Sequence, residues 1–322
     1  HRDLHSFPTR RSSDLQAVSL LVADAQYHGM NYIIDSAVAA NLHLTDPNFD
    51  ASPIAAALIE NSAVRDPILA GKTGLIAAAD AFRAFPLGKG NDSVPGYPMM
   101  SFYVTPQEMK MIFEMNVEVM QGNVPLEYYL NPAGMRYIFD PTRGQFDKVV
   151  AVFLCNDVFT TMECFTNGTL LDLTDTSIEN MLRLAVDDTV ARWLPLYRYV
   201  SGDMVIDPKI KDGTIIDMSN DAEVTSLLFD AQPGDYDANG AIVQELKAWV
   251  ALFSFIGALD DDWSAQGLNG GEVADGIPSV PARIYDINQV PTVGDPNWQL
   301  GLFRGLDKPA YCAMTSDSRI CN

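Results

Sequence analysis

The stretch ENSAVRD, Glu60–Asp66, follows the apolar run PIAAALI and ends it with an amide, two acids and a guanidinium. Asn61 offers a donor and an acceptor on one side chain, which suits the edge of a base. Arg65 offers a fixed fork of donors, which suits a phosphate. The small residues between them let the backbone turn tightly. The alternative is an ordinary loop, with Arg65 paired to Glu60 or Asp66. Other chemical groups are sparser. Asp187 and Asp188 could serve as an acid–base pair, although no partner motif surrounds them. His28 and His43 are isolated and read as structural. Asp260–Trp263, with the acidic loop 270–276, could offer oxygens to calcium, or could simply be solvated. Asn167-Gly168-Thr169 has the pattern of a glycosylation acceptor. The four cysteines fall into two local pairs, Cys155 with Cys164 and Cys312 with Cys321. No CxxC is present, so zinc is not indicated. Even, local spacing favours two disulfides and an oxidising compartment over four unrelated thiols.

These groups need elements to hold them. Gln16 to about Asn41 carries apolar residues at helical spacing, weakened at Gly29. PIAAALI has no polar alternation, as expected of a strand covered on both faces. That strand should deliver Asn61 and Arg65 to the mouth of a pocket at its exit. PMMSFYV reads as a strand. Thr105, Pro106 and Glu108 then form a capping box that opens a helix over Ile112, Phe113, Val117 and Met120. Asn116 interrupts its apolar face, and Gly122 ends it. YYLNPAGMRYIFD and KVVAVFLC read as one strand each, and MECFTNGTLLDL as a strand and turn. NMLRLAVDDTVARWLPLY reads as a strand passing into a helix. GAIVQELKAWVALFSFIGAL reads as a long helix with Val243, Leu246, Trp249, Val250, Phe253 and Ile256 inward. From Asp260 the chain is rich in Gly, Pro and Asp. Helices and strands mix without βαβ alternation, so the fold class is α+β.

The chain has 322 residues, 48% of them hydrophobic, and a net charge of −21. That suffices for a substantial core. The acidity disfavours a nucleic-acid partner, which needs a basic face. No apolar run is long enough to span a membrane. The opening HRDLHSFPTRRSSDL, residues 1–15, has no helical or strand period and no leader-like apolar core. It resembles a translated sequencing adapter, so the native protein is expected to begin upstream. Without this segment the charge is −22, since it holds three Arg and two Asp.

Five segments in register carry a family resemblance: LLVADAQ, IENSAVRDPILAG, ADAFRAFPLGKGNDSVPGYPMMSFYVT, YYLNPAGMRYIFDPTRGQFDKV and ADGIPSVPARIY. Together they resemble the C-terminal domain of bacterial 5′-nucleotidases, cyclic-nucleotide phosphodiesterases and UDP-sugar hydrolases. The resemblance implies a layered α/β/β/α domain over 46–322, preceded by a bridging helix over 16–45. It implies nucleotide or nucleoside as ligand, with Asn61 on the base and Arg65 on the phosphate. NSAVR is one residue shorter than the family turn. The family stacks its base between two aromatics. Here Leu87 falls on the first position, with Phe85 two residues earlier, and Thr189 falls on the second.

The resemblance also implies a metallophosphatase domain in cis, carrying two divalent metals and lying upstream of this chain. Its histidine-rich motifs are not present here. The fragment itself is expected to hold no metal, to be inactive alone, and to come from a periplasmic or secreted hydrolase. The rival reading is a divergent, non-catalytic binding or surface domain that has lost the nucleotide.

Overall fold

The computed structural model describes residues 9–46, 49–66, 68, 76–155, 161–202, 205–231, 233, 244–265, 305–315 and 317–321. In chain order the elements are α1 (Thr9–Ala39), α2 (Leu42–Thr45), β1 (Ala56–Glu60), α3 (Ala78–Ala84), β2 (Met99–Val104), α4 (Pro106–Met120), β3 (Leu130–Ala133), β4 (Met135–Phe139), β5 (Val149–Leu154), α5 (Thr161–Asn167), β6 (Thr169–Leu170), β7 (Leu182–Asp187), α6 (Asp188–Trp193), α7 (Arg198–Ser201), α8 (Asp221–Thr225), α9 (Ala248–Ala265), β8 (Gly305–Asp307), α10 (Lys308–Met314) and α11 (Ser318–Cys321). Short 3₁₀ turns lie at Asn61–Ala63, Leu126–Tyr128, Ile178–Asn180 and Leu194–Tyr197. The class is α+β, with two four-stranded mixed sheets ordered β2-β7-β1-β3 and β6-β5-β4-β8.

Strand β1 is buried at every position, as an apolar run without alternation predicts. Its odd residues, Ala57 and Ile59, join Val22, Ala23 and Met30 of α1 and Leu252 and Phe255 of α9 in one core. Its even residues, Ala56 and Leu58, enter a second core with α4 and the inner residues of the other sheet, Tyr137 and Val152 among them. Helix α4 is buried along nearly its whole length. A third, small core lies on the far face of the second sheet. It contains both disulfides, Cys155–Cys164 and Cys312–Cys321.

Thr105 and Glu108 close the predicted capping box on α4. Asn116 donates to Leu130 O and accepts from Leu130 N, at 2.7 and 2.9 Å. Its place on an apolar face is therefore structural, tying α4 to β3. His28 stacks on Phe255 at 5.6 Å, also a packing role. Asp50 braces the first sheet. Its carboxyl holds the Tyr103 hydroxyl and lies 3.7 Å from the Arg183 guanidinium. Burial opposes ionisation there, but the Arg183 charge and the Tyr103 hydrogen bond win and hold the group near 2.

Several expectations are corrected. YYLNPAGMRYIF is two strands in different sheets, separated at Gly134, whose φ of 74° takes the chain from one sheet to the other. A Cβ at Gly134 would lie 2.6 Å from the Ala55 carbonyl, so only glycine fits. MECFTN is helical in α5, with the disulfide drawing Cys164 back onto β5's end. Helix α9 starts at Ala248, because the residues before it are extended and bridge neighbours at Glu245–Asp230 and Lys247–Pro98. Leu246 is buried and Trp249, Val250 and Ile256 pack partly buried against the core as expected, with Ala251, Leu252 and Phe255 more deeply covered, whereas Phe253 is 38% exposed. The backbone stays helical to Ala265, past the predicted end near Asp260. Helix α1 begins at Thr9 and so includes residues 9–15. The side chains of Leu4, Phe7, Leu15, His43 and Asp260–Trp263, and all of loop 270–276, lie outside the described residues. No described helix is long and apolar enough to cross a membrane.

Candidate functional site

Strands β1 and β7 run parallel, with Ala57 opposite Ala185. Both therefore end on the same edge of the sheet, where ligand-binding groups collect in parallel arrangements. Strand β1 ends in Glu60 and the 3₁₀ turn Asn61–Ala63, and β7 ends in Asp187, the N-cap of α6. Two carboxyl groups from distant parts of the sequence thus finish neighbouring strands.

Both are buried. Glu60 is 2% exposed and Asp187 is fully covered. Asp187 Oδ1 accepts from Val190 N at 2.9 Å, while its Oδ2 has no hydrogen-bond partner among the described residues. The same holds for Glu60 Oε2. Burial raises the Glu60 carboxyl to about 8, and the Asp187 charge adds to that rise. The Ser62 hydroxyl and the Arg65 charge pull the other way and lose. Burial also raises Asp187 to about 7, against the Val190 and Thr189 N–H groups. Tyr197, buried beside Glu60, is pushed above the usual phenol range by burial first and by that carboxyl second. An unpaired ionised carboxylate in such a place is costly, and the group holds a proton instead.

The residues singled out from the sequence take different settings. Asn61 is committed to the scaffold. Its Nδ2 donates to Leu126 O at 3.0 Å and its Oδ1 accepts from Asn131 Nδ2 at 2.7 Å. Its backbone N–H reaches Tyr129 O. Arg65 is exposed. Its backbone N–H donates to Ala84 O, and its side chain makes no ion pair or hydrogen bond among the described residues. Asp66 pairs with Arg83 at 3.3 Å, so the alternative reading, a salt bridge from Arg65 to Asp66 or Glu60, is not what the described residues form. Phe85 is fully buried in the core with α1 and α9, edge-on to Tyr97. Leu87 and Thr189 are half-buried, Thr189 in the first turn of α6.

Sequence reasoning misses two features here. It marks Glu60 only as a partner for Arg65, because a single acid at a strand end has no motif. Nothing in the sequence marks Tyr128 and Trp193, yet their rings meet at 5.4 Å. Tyr128 is 38% exposed, and the turn that carries it is bonded to Asn61. The pair therefore lies beside the exit of β1. A depression of about 380 Å³ lies elsewhere, lined by Lys110, Glu114, Arg143, Phe146, Val149 and Leu173 among others. Its cations are already paired with Asp147. Among the described residues no group of three or more His, Cys, Asp or Glu is placed to hold a metal ion.

No family model and no curated protein matches the chain. Among solved structures it is similar to a 5′-nucleotidase precursor from Thermus thermophilus. The identity is 18%, over 54% of this chain and 26% of that one, with a TM-score of 0.34. It is also similar to the NAD nucleotidase NadN of Haemophilus influenzae, at 12% identity over 55% of this chain and 24% of that one, with a TM-score of 0.35. The chain spans about a quarter of the length of each.

Proposed function

We propose that the chain is the substrate-recognition part of a nucleotidase-type hydrolase and holds a nucleotide at the exit of β1. The chemistry belongs to a metal-bearing domain in cis, joined through α1, so this chain alone binds without hydrolysing. The observation that carries this reading is Arg65. It is exposed, at the end of a buried strand, with a side chain unpaired among the described residues. In a chain of net charge −21, an exposed guanidinium that pairs with no neighbouring acid is available to an anion. Asn61 fixes the turn that presents it, and Tyr128 with Trp193, their rings tilted 44° to each other, adds aromatic surface beside the Asn61 turn. Two disulfides favour an oxidising, extracytoplasmic setting, in keeping with a periplasmic or secreted parent.

One observation favours the rival, a binding or surface domain that has lost the nucleotide. Phe85 is buried, and Leu87 and Thr189 supply no ring where the resemblance places the base. Titration of AMP and of adenosine, followed by tryptophan fluorescence and calorimetry, separates the two. The nucleotidase reading expects dissociation constants of about 1 mM and quenching of Trp193. Arg65→Ala should weaken AMP by roughly ten- to a hundredfold, as loss of one charge-assisted contact implies, and adenosine far less. Equal losses for both ligands, or no binding by the intact chain, establishes the rival.

A further inference from the structure

The depression of about 380 Å³ has no part in the nucleotide reading. It opens between the first half of α4, the turn joining β4 to β5, and the residues that follow β6. Its volume lies in the range of small-molecule sites. Met111, Phe146, Val149, Val150 and Leu173 give it an apolar lining, and Lys110 and Arg143 add two cations. The exposed carboxylate of Asp147, which does not itself line the depression, bridges those cations. Its Oδ1 accepts from Lys110 Nζ at 3.0 Å, and its Oδ2 accepts from Arg143 Nη2 at 2.7 Å and Nε at 3.3 Å. The hydrogen bonds from Arg143 and Lys110 hold the Asp147 carboxyl below the usual carboxylate range, so this position favours an anion.

The surrounding turn is fastened in place. Phe146 has a φ of 57°, a left-handed backbone that a bulky residue seldom adopts. Such positions persist only where the surroundings over-determine them, and they gather at ligand sites. Here Asp140 N donates to Lys148 O at 2.7 Å, and Lys148 Nζ donates to Glu118 Oε1 at 2.6 Å. Glu114, also on α4, accepts from the N–H groups of Lys148 and Val149 at 2.8 Å each. Helix α4 therefore clamps the turn and the start of β5, and Phe146 is held against the core while it lines the depression. Glu114 lies 3.4 Å from Lys110, but both of its oxygens already serve those N–H groups. Asp147 is left as the anion that Lys110 and Arg143 share.

We propose that this depression is a second ligand site, for a small carboxylate with a flat apolar body, and that Asp147 holds the place of the ligand's carboxylate. The body covers Met111, Phe146, Val149 and Leu173. The ligand's carboxylate takes the two cations, and Asp147 turns out to solvent. Exposed ion pairs are worth little, so exchanging one carboxylate for another costs little, while covering the apolar lining removes surface from water. The chain as a whole carries a charge of −21 and repels anions, so selection of an anion here must come from Lys110 and Arg143. The inference does not rest on Arg65 or on nucleotide binding.

Naphthoate is the probe, with naphthylmethanol and naphthylmethylamine as its neutral and cationic counterparts. Binding to the full chain is followed by calorimetry and by amide NMR. Naphthoate should bind with a dissociation constant of about 0.1–1 mM and shift the amides of Lys110, Phe146, Val149 and Thr174. It should bind about fivefold more tightly than the alcohol or the amine. Asp147→Asn removes the resident carboxylate and should tighten naphthoate by about three- to fivefold, leaving the alcohol unchanged. Arg143→Gln should weaken naphthoate by about three- to tenfold. Leu173→Trp should abolish binding of all three probes, and Arg65→Ala should alter none. Asp147 and Arg143 are exposed, circular dichroism verifies the fold of each variant, and the ranking of the three probes on the intact chain needs no variant. Absence of these amide shifts, equal or tighter binding of the alcohol or the amine, or naphthoate binding that Asp147→Asn leaves unchanged or weakens, overturns the site.

Discussion

Glu60→Gln should stabilise this protein, and more so as the pH rises. Glutamine keeps the shape of the side chain and removes its ability to ionise. In the native state the Glu60 carboxyl is raised from 4.5 to about 8. The folded chain therefore binds more protons than the unfolded one across that interval, and stability falls with rising pH there. The contribution of the protonated group is fully present below about pH 4.5, declines up to about pH 8, and is flat beyond. Each pH unit is worth about 1.4 kcal/mol per proton, so the upper bound is about 5 kcal/mol. Coupling to Asp187 and relaxation of the turn reduce this, and about 2–3 kcal/mol is the working figure. Urea unfolding of both forms at about pH 5, 7 and 9 measures it. The two curves should nearly coincide at the acid end and diverge by that amount at the alkaline end. Parallel curves, or a Glu60→Gln protein less stable than the intact chain in alkali, would refute the claim that a buried, protonated acid lies at the end of β1.

Asn116→Ala strands both backbone groups of Leu130 in a buried site, and should cost about 2–4 kcal/mol in the same assay. Gly134→Ala drives a Cβ into the Ala55 carbonyl at a left-handed backbone position. A loss of about 2–4 kcal/mol is expected, and an unchanged melting temperature would contradict the sheet-to-sheet crossing. Thiol titration of the native protein should find no free cysteine among the four. Replacing either pair by serine should lower stability by roughly 2.5–3 kcal/mol, as closing a loop of about ten residues implies.

Local chemistry makes part of this protein legible. The capping box of Thr105 and Glu108, the unalternating strand β1 and the short spacing of each cysteine pair depend on neighbours a few residues away. Such signals survive in the sequence because the interacting groups are themselves close in sequence. The segment YYLNPAGMRYIF has the right strand propensity, but its division between two sheets turns on one left-handed glycine, whose conformation depends on what packs around it. Residues 244–247 have helical residue types, yet pairing with Pro98 and Asp230 holds them extended, since tertiary hydrogen bonds outweigh a weak local preference. The site follows the same rule. Asn61 and Arg65 stand out by type, but only the fold shows that the amide is consumed by Leu126 and Asn131 while the guanidinium meets no acid among the described residues. The Glu60–Asp187 pair has no signature at all. Its chemistry comes from burial and from the parallel register of β1 and β7, which joins residues far apart in the chain and removes the water that would have kept both acids ordinary.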